Sequence, residues 1–304
     1  MYLNHFGFKE KPFSITPDPD FLYFSDQHKA ALAMLEYGVL EQSGITVVTG
    51  EVGCGKTTLI RHLLRRIPYD KLTVGLISNV HTSLGSLLHW VMLALKLYEG
   101  KEDVSSLRLF SELQEFLVRE YAGGRRVVLI VDEAQNIGAA ALEELRMLTN
   151  INADKDELLQ IVLVGQPQLL KLLEQPELAQ IAQRVTAEYH LEPLNITETL
   201  AYIRHRLQVA GGPPTVRFDI QAAHVIYYFS CGVPRLINTL CDHALVVAYA
   251  NNRKTVDFET ALDAVRQKRI GGVERFRKRT EEAENTKQVI QAATGIDIEV
   301  AVNG

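Results

Sequence analysis

Two clusters in this chain have the residue types and spacing to handle a polyphosphate. The first is Gly50-Glu51-Val52-Gly53-Cys54-Gly55-Lys56-Thr57, which satisfies every position of G-x-x-x-x-G-K-[ST]. Glycines there let the backbone wrap an anion closely, with its N–H groups turned inward. Lys56 is then the residue that reaches the β- and γ-phosphates, the Thr57 hydroxyl is a ligand for Mg²⁺, and Thr58 continues into a helix. The second cluster is Asp132-Glu133, directly after Val127-Val128-Leu129-Ile130-Val131. At the carboxyl end of a parallel strand, Asp132 is positioned to hold Mg²⁺ through water and Glu133 to polarise an attacking water as general base. Together the two clusters imply a nucleoside triphosphate site.

Both clusters need strands to place them. Ile45–Thr49 is β-branched and ends at the loop, while Thr58-Leu59-Ile60-Arg61-His62-Leu63-Leu64-Arg65 has helical spacing of apolar residues. Around this pair the pattern predicts a helix over Asp26–Gln42 capped by Ser25, and strands at Leu72–Ser78, Arg126–Val131, Leu159–Val164 and Ala187–Leu191. Helices are expected near 56–66, 83–97, 105–121 and 139–151. Alternating strands and helices imply a mainly parallel sheet of five strands covered on both faces. The preceding residues, 1–24, are dense in aromatics and prolines; prolines exclude a long helix, so an irregular arm lying across the domain is expected. After Pro193 the texture becomes helical: Asn195-Ile196-Thr197-Glu198 opens a helix with a capping pattern, and further helices are expected near 219–230, 234–250 and 258–268, with no strand run. The boundaries read as an arm (1–24), an α/β nucleotide-binding domain (25–192), a small all-helical domain (193–270) and a charged tail (271–304), helical or loosely ordered.

Composition narrows the setting. The 304 residues are 47% hydrophobic and 23% charged, an ordinary globular balance. A net charge of -5 gives no global basic signature, so contact with nucleic acid would need a local patch such as Arg275, Arg277, Lys278 and Arg279. Three cysteines, Cys54, Cys231 and Cys241, read as thiols in a reducing compartment, with no zinc site. The first residues lack the pattern of a signal peptide, and Leu84–Tyr98 is interrupted by Ser86, His89 and Lys96, so neither a leader nor a membrane span is expected. A cytoplasmic location follows from that reading.

The order of phosphate loop, Asp132-Glu133, Val164-Gly165-Gln166-Pro167, Arg184 and Gly232-Val233-Pro234-Arg235 resembles an AAA+ ATPase. More narrowly, Phe6-Gly7-Phe8, Pro12-Phe13, Thr16-Pro17-Asp18-Pro19, Val131-Asp132-Glu133-Ala134-Gln135-Asn136, Glu144-Leu145-Arg146-Met147-Leu148-Thr149-Asn150 and Pro234-Arg235-Leu236-Ile237-Asn238 resemble the ExeA/GspA-type group. That group serves general secretion and exosortase loci and is distantly related to TnsC/TniB transposition ATPases. The resemblance covers residues 1–270 and implies a P-loop NTPase fold with a helical lid, using ATP and Mg²⁺. It further implies that Gln166 is the polar sensor of the γ-phosphate and that Arg235 bridges ATP and the lid. Arg184, or alternatively Arg146, would be the arginine finger offered to a neighbouring subunit. Asn79 would hold Glu133 until a partner binds, and Tyr23 and His28 would contact adenine. A helix-start arginine such as Arg235 opposes the macrodipole unless an anion faces it, which favours the phosphate reading.

Three functions fit these features. The first is an ATP-driven homo-oligomeric switch, a ring or filament with ATP at subunit interfaces, that remodels a secretion or export complex. The second is a DNA-bound regulator that recruits a transposase. The third is a nucleotide-dependent adaptor with little turnover, against which the intact Glu133 argues.

Overall fold

The computed structural model describes residues 2–40, 44–78, 86–98, 104–153, 156–268 and 280–303. Asn79 and the basic run Arg275–Arg279 lie outside them. The chain divides into two compact units, one of Asp26–Glu51 and Leu59–Leu191, the other of Met1–Ser25, Val52–Thr58 and Glu192–Gly304.

The first unit is built on a sheet. Its strands are β1 (Ile45–Gly50), β2 (Leu72–Ile77), β3 (Arg126–Asp132), β4 (Leu159–Gly165) and β5 (Val185–Leu191), in the spatial order β2-β3-β4-β1-β5. All neighbours run parallel. Every residue of β1 and β4 is buried, as expected of strands covered on both faces, and their sequences are near-continuous apolar runs. Helix Asp26–Leu40 packs on β1, β4 and β5, while Leu87–Ala94 and Ser106–Ala122 pack on β2 and β3 respectively. Leu129 and Leu163 of the sheet and Leu113 and Leu142 of the helices, all fully buried, share one core. A two-residue antiparallel pair, Asn152–Ala153 with Asp156–Glu157, was not expected; it is too short to leave a period in the sequence.

The second unit is mostly helical. Helices Ile196–Val209, Ile220–Ser230, Pro234–Ala250 and Phe258–Gln267 surround a core that contains Tyr228, Ile226, Ile237 and Leu245. The first begins with a full capping box, Asn195 accepting from Glu198 N at 2.8 Å and the Glu198 carboxylate accepting from Asn195 N at 3.0 Å. The expectation of an all-helical unit needs one correction. Arg217–Phe218 and Thr255–Val256 pair in parallel, two residues each and therefore without a readable alternation.

The arm and tail also fall differently from the sequence reading, because both belong to this helical unit. Residues Tyr2–Phe6 form a short helix ahead of the prolines, and Phe6, Phe8, Phe13 and Phe21 are buried in the unit's core. Arg206, only 6% exposed, fixes the arm's path. Its Nε donates to the Pro12 carbonyl at 2.6 Å and its Nη2 to that of Ser14 at 3.1 Å, with the guanidinium 4.4 Å from the Phe21 ring centre. In the tail, helix Glu281–Thr294 is tied down where Glu282 accepts from the Tyr227 hydroxyl at 2.6 Å. No helix among the described residues is long and apolar enough to cross a membrane.

Candidate functional site

Val52–Thr58, the greater part of the phosphate loop, belong to the helical unit, where Gly53 meets the start of helix Pro234–Ala250. The Arg235 N–H donates to the Gly53 carbonyl at 3.1 Å. Gly53 has φ +87°, and a Cβ there would lie 2.5 Å from the Arg235 Cβ, so this approach is open to glycine alone. Cys54 is fully buried beneath the loop, Lys56 is 7% exposed at the first position of helix Lys56–Arg66, and Thr57 and Thr58 are half-buried. Glu51 and Gly55 are also half-buried and Val52 is exposed. The Arg235 side chain is exposed at the first turn of its helix.

In the sheet unit the register gathers three strand ends at one edge. Thr49 of β1 is level with Gly165 of β4, and Val164 of β4 with Asp132 of β3. Gly50, where the phosphate loop departs, is therefore one strand away from Asp132. At the same edge the Thr49 hydroxyl and His190 Nδ1 are 2.9 Å apart, joining the ends of β1 and β5.

Glu133 leaves β3 in the left-handed region, φ 56° and ψ 38°, which is uncommon for a side chain with a Cβ. Strain of this kind concentrates where geometry serves a function. The turn is supported by the Asp132 carboxylate, whose Oδ1 accepts from Glu133 N at 3.0 Å. The Glu133 carboxylate is itself held: its Oε2 accepts from Gln135 Nε2 at 2.6 Å and from Gln166 Nε2 at 3.1 Å. Gln135 also accepts from the Gln166 backbone N–H through Oε1 at 2.9 Å. The structure thus joins three residues at the ends of β3 and β4. Sequence reasoning singled out Glu133 and Gln166 but quoted Gln135 only as part of a motif; its signal was the i+2 spacing from Glu133.

The arginines are elsewhere in this unit. Arg184 precedes β5 at the opposite edge of the sheet, its carbonyl accepting from Ile45 N at 3.2 Å. Its guanidinium donates to Thr149 Oγ1 at 2.7 Å and to Asn150 Oδ1. Arg146 shares that corner: Thr149 Oγ1 donates to its carbonyl at 2.7 Å, and its Nε pairs with Glu143 at 2.7 Å. β1 spans six residues, or about 20 Å, so Arg184 is far from the edge where β1 ends. Tyr23 packs in the helical unit, its ring 6.0 Å from that of Tyr202 and 5.7 Å from that of His205. His28, 3% exposed, belongs to the sheet unit, so neither unit by itself forms the adenine sandwich expected of the pair.

Known proteins share parts of this sequence and fold. The AAA domain family matches residues 39–173. General secretion pathway protein A of Aeromonas hydrophila is 43% identical over 265 residues, which is 87% of this chain. The chain carries an AAA domain and resembles the ExeA/GspA-type AAA+ group over most of its length. It spans about half, 48%, of that relative's length. Among solved structures, the Aeropyrum pernix ORC2 protein superposes with a TM-score of 0.65 at 18% identity, over 88% of this chain and 74% of that one. Cdc6p of Pyrobaculum aerophilum gives 0.62 at 14%, over 96% and 88%. The Thermotoga maritima RuvB branch migration motor gives 0.53 at 15%, over 91% and 84%. At such identities these likenesses concern the AAA+ fold alone.

Proposed function

We propose that this ExeA/GspA-type AAA+ chain binds ATP with Mg²⁺, hydrolyses it to ADP and phosphate, and acts as an oligomeric switch on a secretion or export complex. The observation that carries the hydrolytic reading is the held carboxylate at the end of β3. Glu133 is fixed by two glutamine amides at the edge where β1 delivers the phosphate loop. A general base needs such a fixed direction toward its water.

The residues present fit the nucleotide and its ion. Lys56 supplies a buried cation, the Gly53 and Gly55 backbones adopt positive φ as an anion cradle requires, and Thr57 with Asp132 offers hard oxygen donors suited to Mg²⁺. Bound Mg²⁺ would neutralise charge on the β- and γ-phosphate oxygens. Glu133 accepts the water's proton, Gln166 contacts the γ-phosphate or that water, and Arg235 couples nucleotide to the helical unit through the loop it already touches. Tyr23 and His28 are the proposed adenine contacts. Arg184 acts in trans, a reading supported by its place across the sheet from Gly50, and Arg146 is the alternative from the same corner.

The secretion partner is proposed from the Aeromonas relative. The test of nucleotide binding is Lys56→Ala, which removes the loop's only cation. Titration with a fluorescent ATP analogue should show saturable binding to the wild type and loss of affinity by at least about tenfold in the variant. Equal affinities would overturn the site.

A further inference from the structure

Gln135 is the one member of the cluster at the end of β3 and β4 that has no role so far. It sits in a short 3-10 turn, Ala134–Asn136, which starts from the left-handed Glu133 and packs against β4. Its orientation is settled by chemistry. Oε1 accepts from the Gln166 backbone N–H, a group that only donates, so Nε2 must be the atom facing Glu133. The amide uses one end to register on β4 and the other to hold the carboxylate. Gly165 makes room for it, because a Cβ at that position would lie 2.8 Å from Gln135 Oε1. Gln135 and Gln166 both donate to Oε2 of Glu133, and Oε1 of Glu133 carries no hydrogen bond among the described residues.

We propose that Gln135 is the positioning residue for the base: it takes up one oxygen of the Glu133 carboxylate and leaves the other aimed for the proton of the attacking water. This rests on the reading of Glu133 as general base. Gln135 acts through Glu133, transmitting the position of the β4 backbone to the carboxylate. Without it the Glu133 side chain keeps a single 3.1 Å tether, from Gln166, and samples other rotamers.

The roles of tether and neighbour can be separated by substitution. Gln135→Met keeps size and removes both hydrogen bonds. Gln135→Glu keeps the acceptor for Gln166 N–H but replaces the donor with a second carboxylate beside Glu133. It therefore gives up the hold on Glu133 alone, while the bond that registers the side chain on β4 is kept.

The experiment measures phosphate release by the full chain against ATP concentration, with nucleotide affinity and melting temperature alongside. For Gln135→Met we expect kcat to fall by at least about tenfold, with affinity and melting temperature close to wild type. For Gln135→Glu, which loses only the bond to Glu133, we expect the same fall in kcat at unchanged affinity. Unchanged kcat in Gln135→Met or in Gln135→Glu overturns the proposal while Glu133→Gln is still inactive. A Glu133→Gln variant with normal turnover overturns instead the reading of the base on which the proposal rests.

Discussion

Gly165→Ala is the smallest change that reaches the Glu133 clamp without altering any of its members. The added Cβ would lie 2.8 Å from Gln135 Oε1 and 2.9 Å from Leu169 Cδ2. Favourable carbon contacts begin near about 3.5 Å, so roughly 0.6 Å of movement is required. Gly165 is not in the left-handed region, so the substitution adds no backbone strain. Leu169 is fully buried and resists displacement, whereas Gln135 moves by giving up its bonds to Gln166 N–H and Glu133. Overpacking of this kind costs about 1–3 kcal/mol. For a unit of this size that lowers the melting temperature by roughly 2–10 °C. Turnover should fall further than stability does, by at least about tenfold at saturating ATP, because the base loses its tether. Thermal melts followed by circular dichroism, beside phosphate release at a temperature well below the transition, separate the two effects. A lowered melting temperature with unchanged kcat would mean that Leu169 yields instead and that the seat of Gln135 does not govern the base.

Two further outcomes follow from other parts of the chain. Hydrogen bonding to Arg125 is the main cause that holds the Glu120 carboxyl down at about 2 against an ordinary 4.5, with burial opposing and the Thr73 hydroxyl assisting. The stability it contributes is present above the ordinary carboxylate range and is lost as pH falls toward 2. Glu120→Gln should therefore destabilise the fold by about 1–3 kcal/mol near pH 7, and urea titrations should show the difference shrinking as the solution is acidified below pH 4.5; a constant difference would refute the assignment. Arg184→Ala should bind nucleotide normally yet lose most turnover, since fingers supplied in trans are worth about 10³–10⁵ in rate. Mixing it with Glu133→Gln should restore phosphate release, because an intact base then meets an intact arginine, and a mixture as inactive as its components would show that Arg184 is not shared between subunits.

The parallel sheet was legible because its strands announce themselves. β1, β3 and β4 are continuous apolar runs, and the loop and carboxylates stand at their ends, where a parallel sheet puts chemistry. Capping by Asn195 and Glu198 was legible for the same local reason. What depends on partners distant in sequence was not. Aromatic residues of the arm carry no sign that Arg206, far along the chain, will hold the carbonyls of Pro12 and Ser14. The parallel pair Arg217–Phe218 with Thr255–Val256 is too short to show a period. At the site, the residue expected to restrain Glu133 was Asn79, which lies outside the described residues, and the amides that hold it come from Gln135 and Gln166. Gln135 was overlooked because its role depends on a glycine at the end of another strand.

The central claim is that Glu133 is the base of an ATPase, and its most direct test is the Glu133→Gln variant under single-turnover conditions. The amide preserves shape but cannot accept the water's proton. With enzyme in excess over radiolabelled ATP, the wild type should convert bound ATP to ADP and phosphate. The variant should bind ATP with wild-type affinity and retain it uncleaved, slowed by about 10²–10⁴. Cleavage at the wild-type rate by Glu133→Gln would contradict the account.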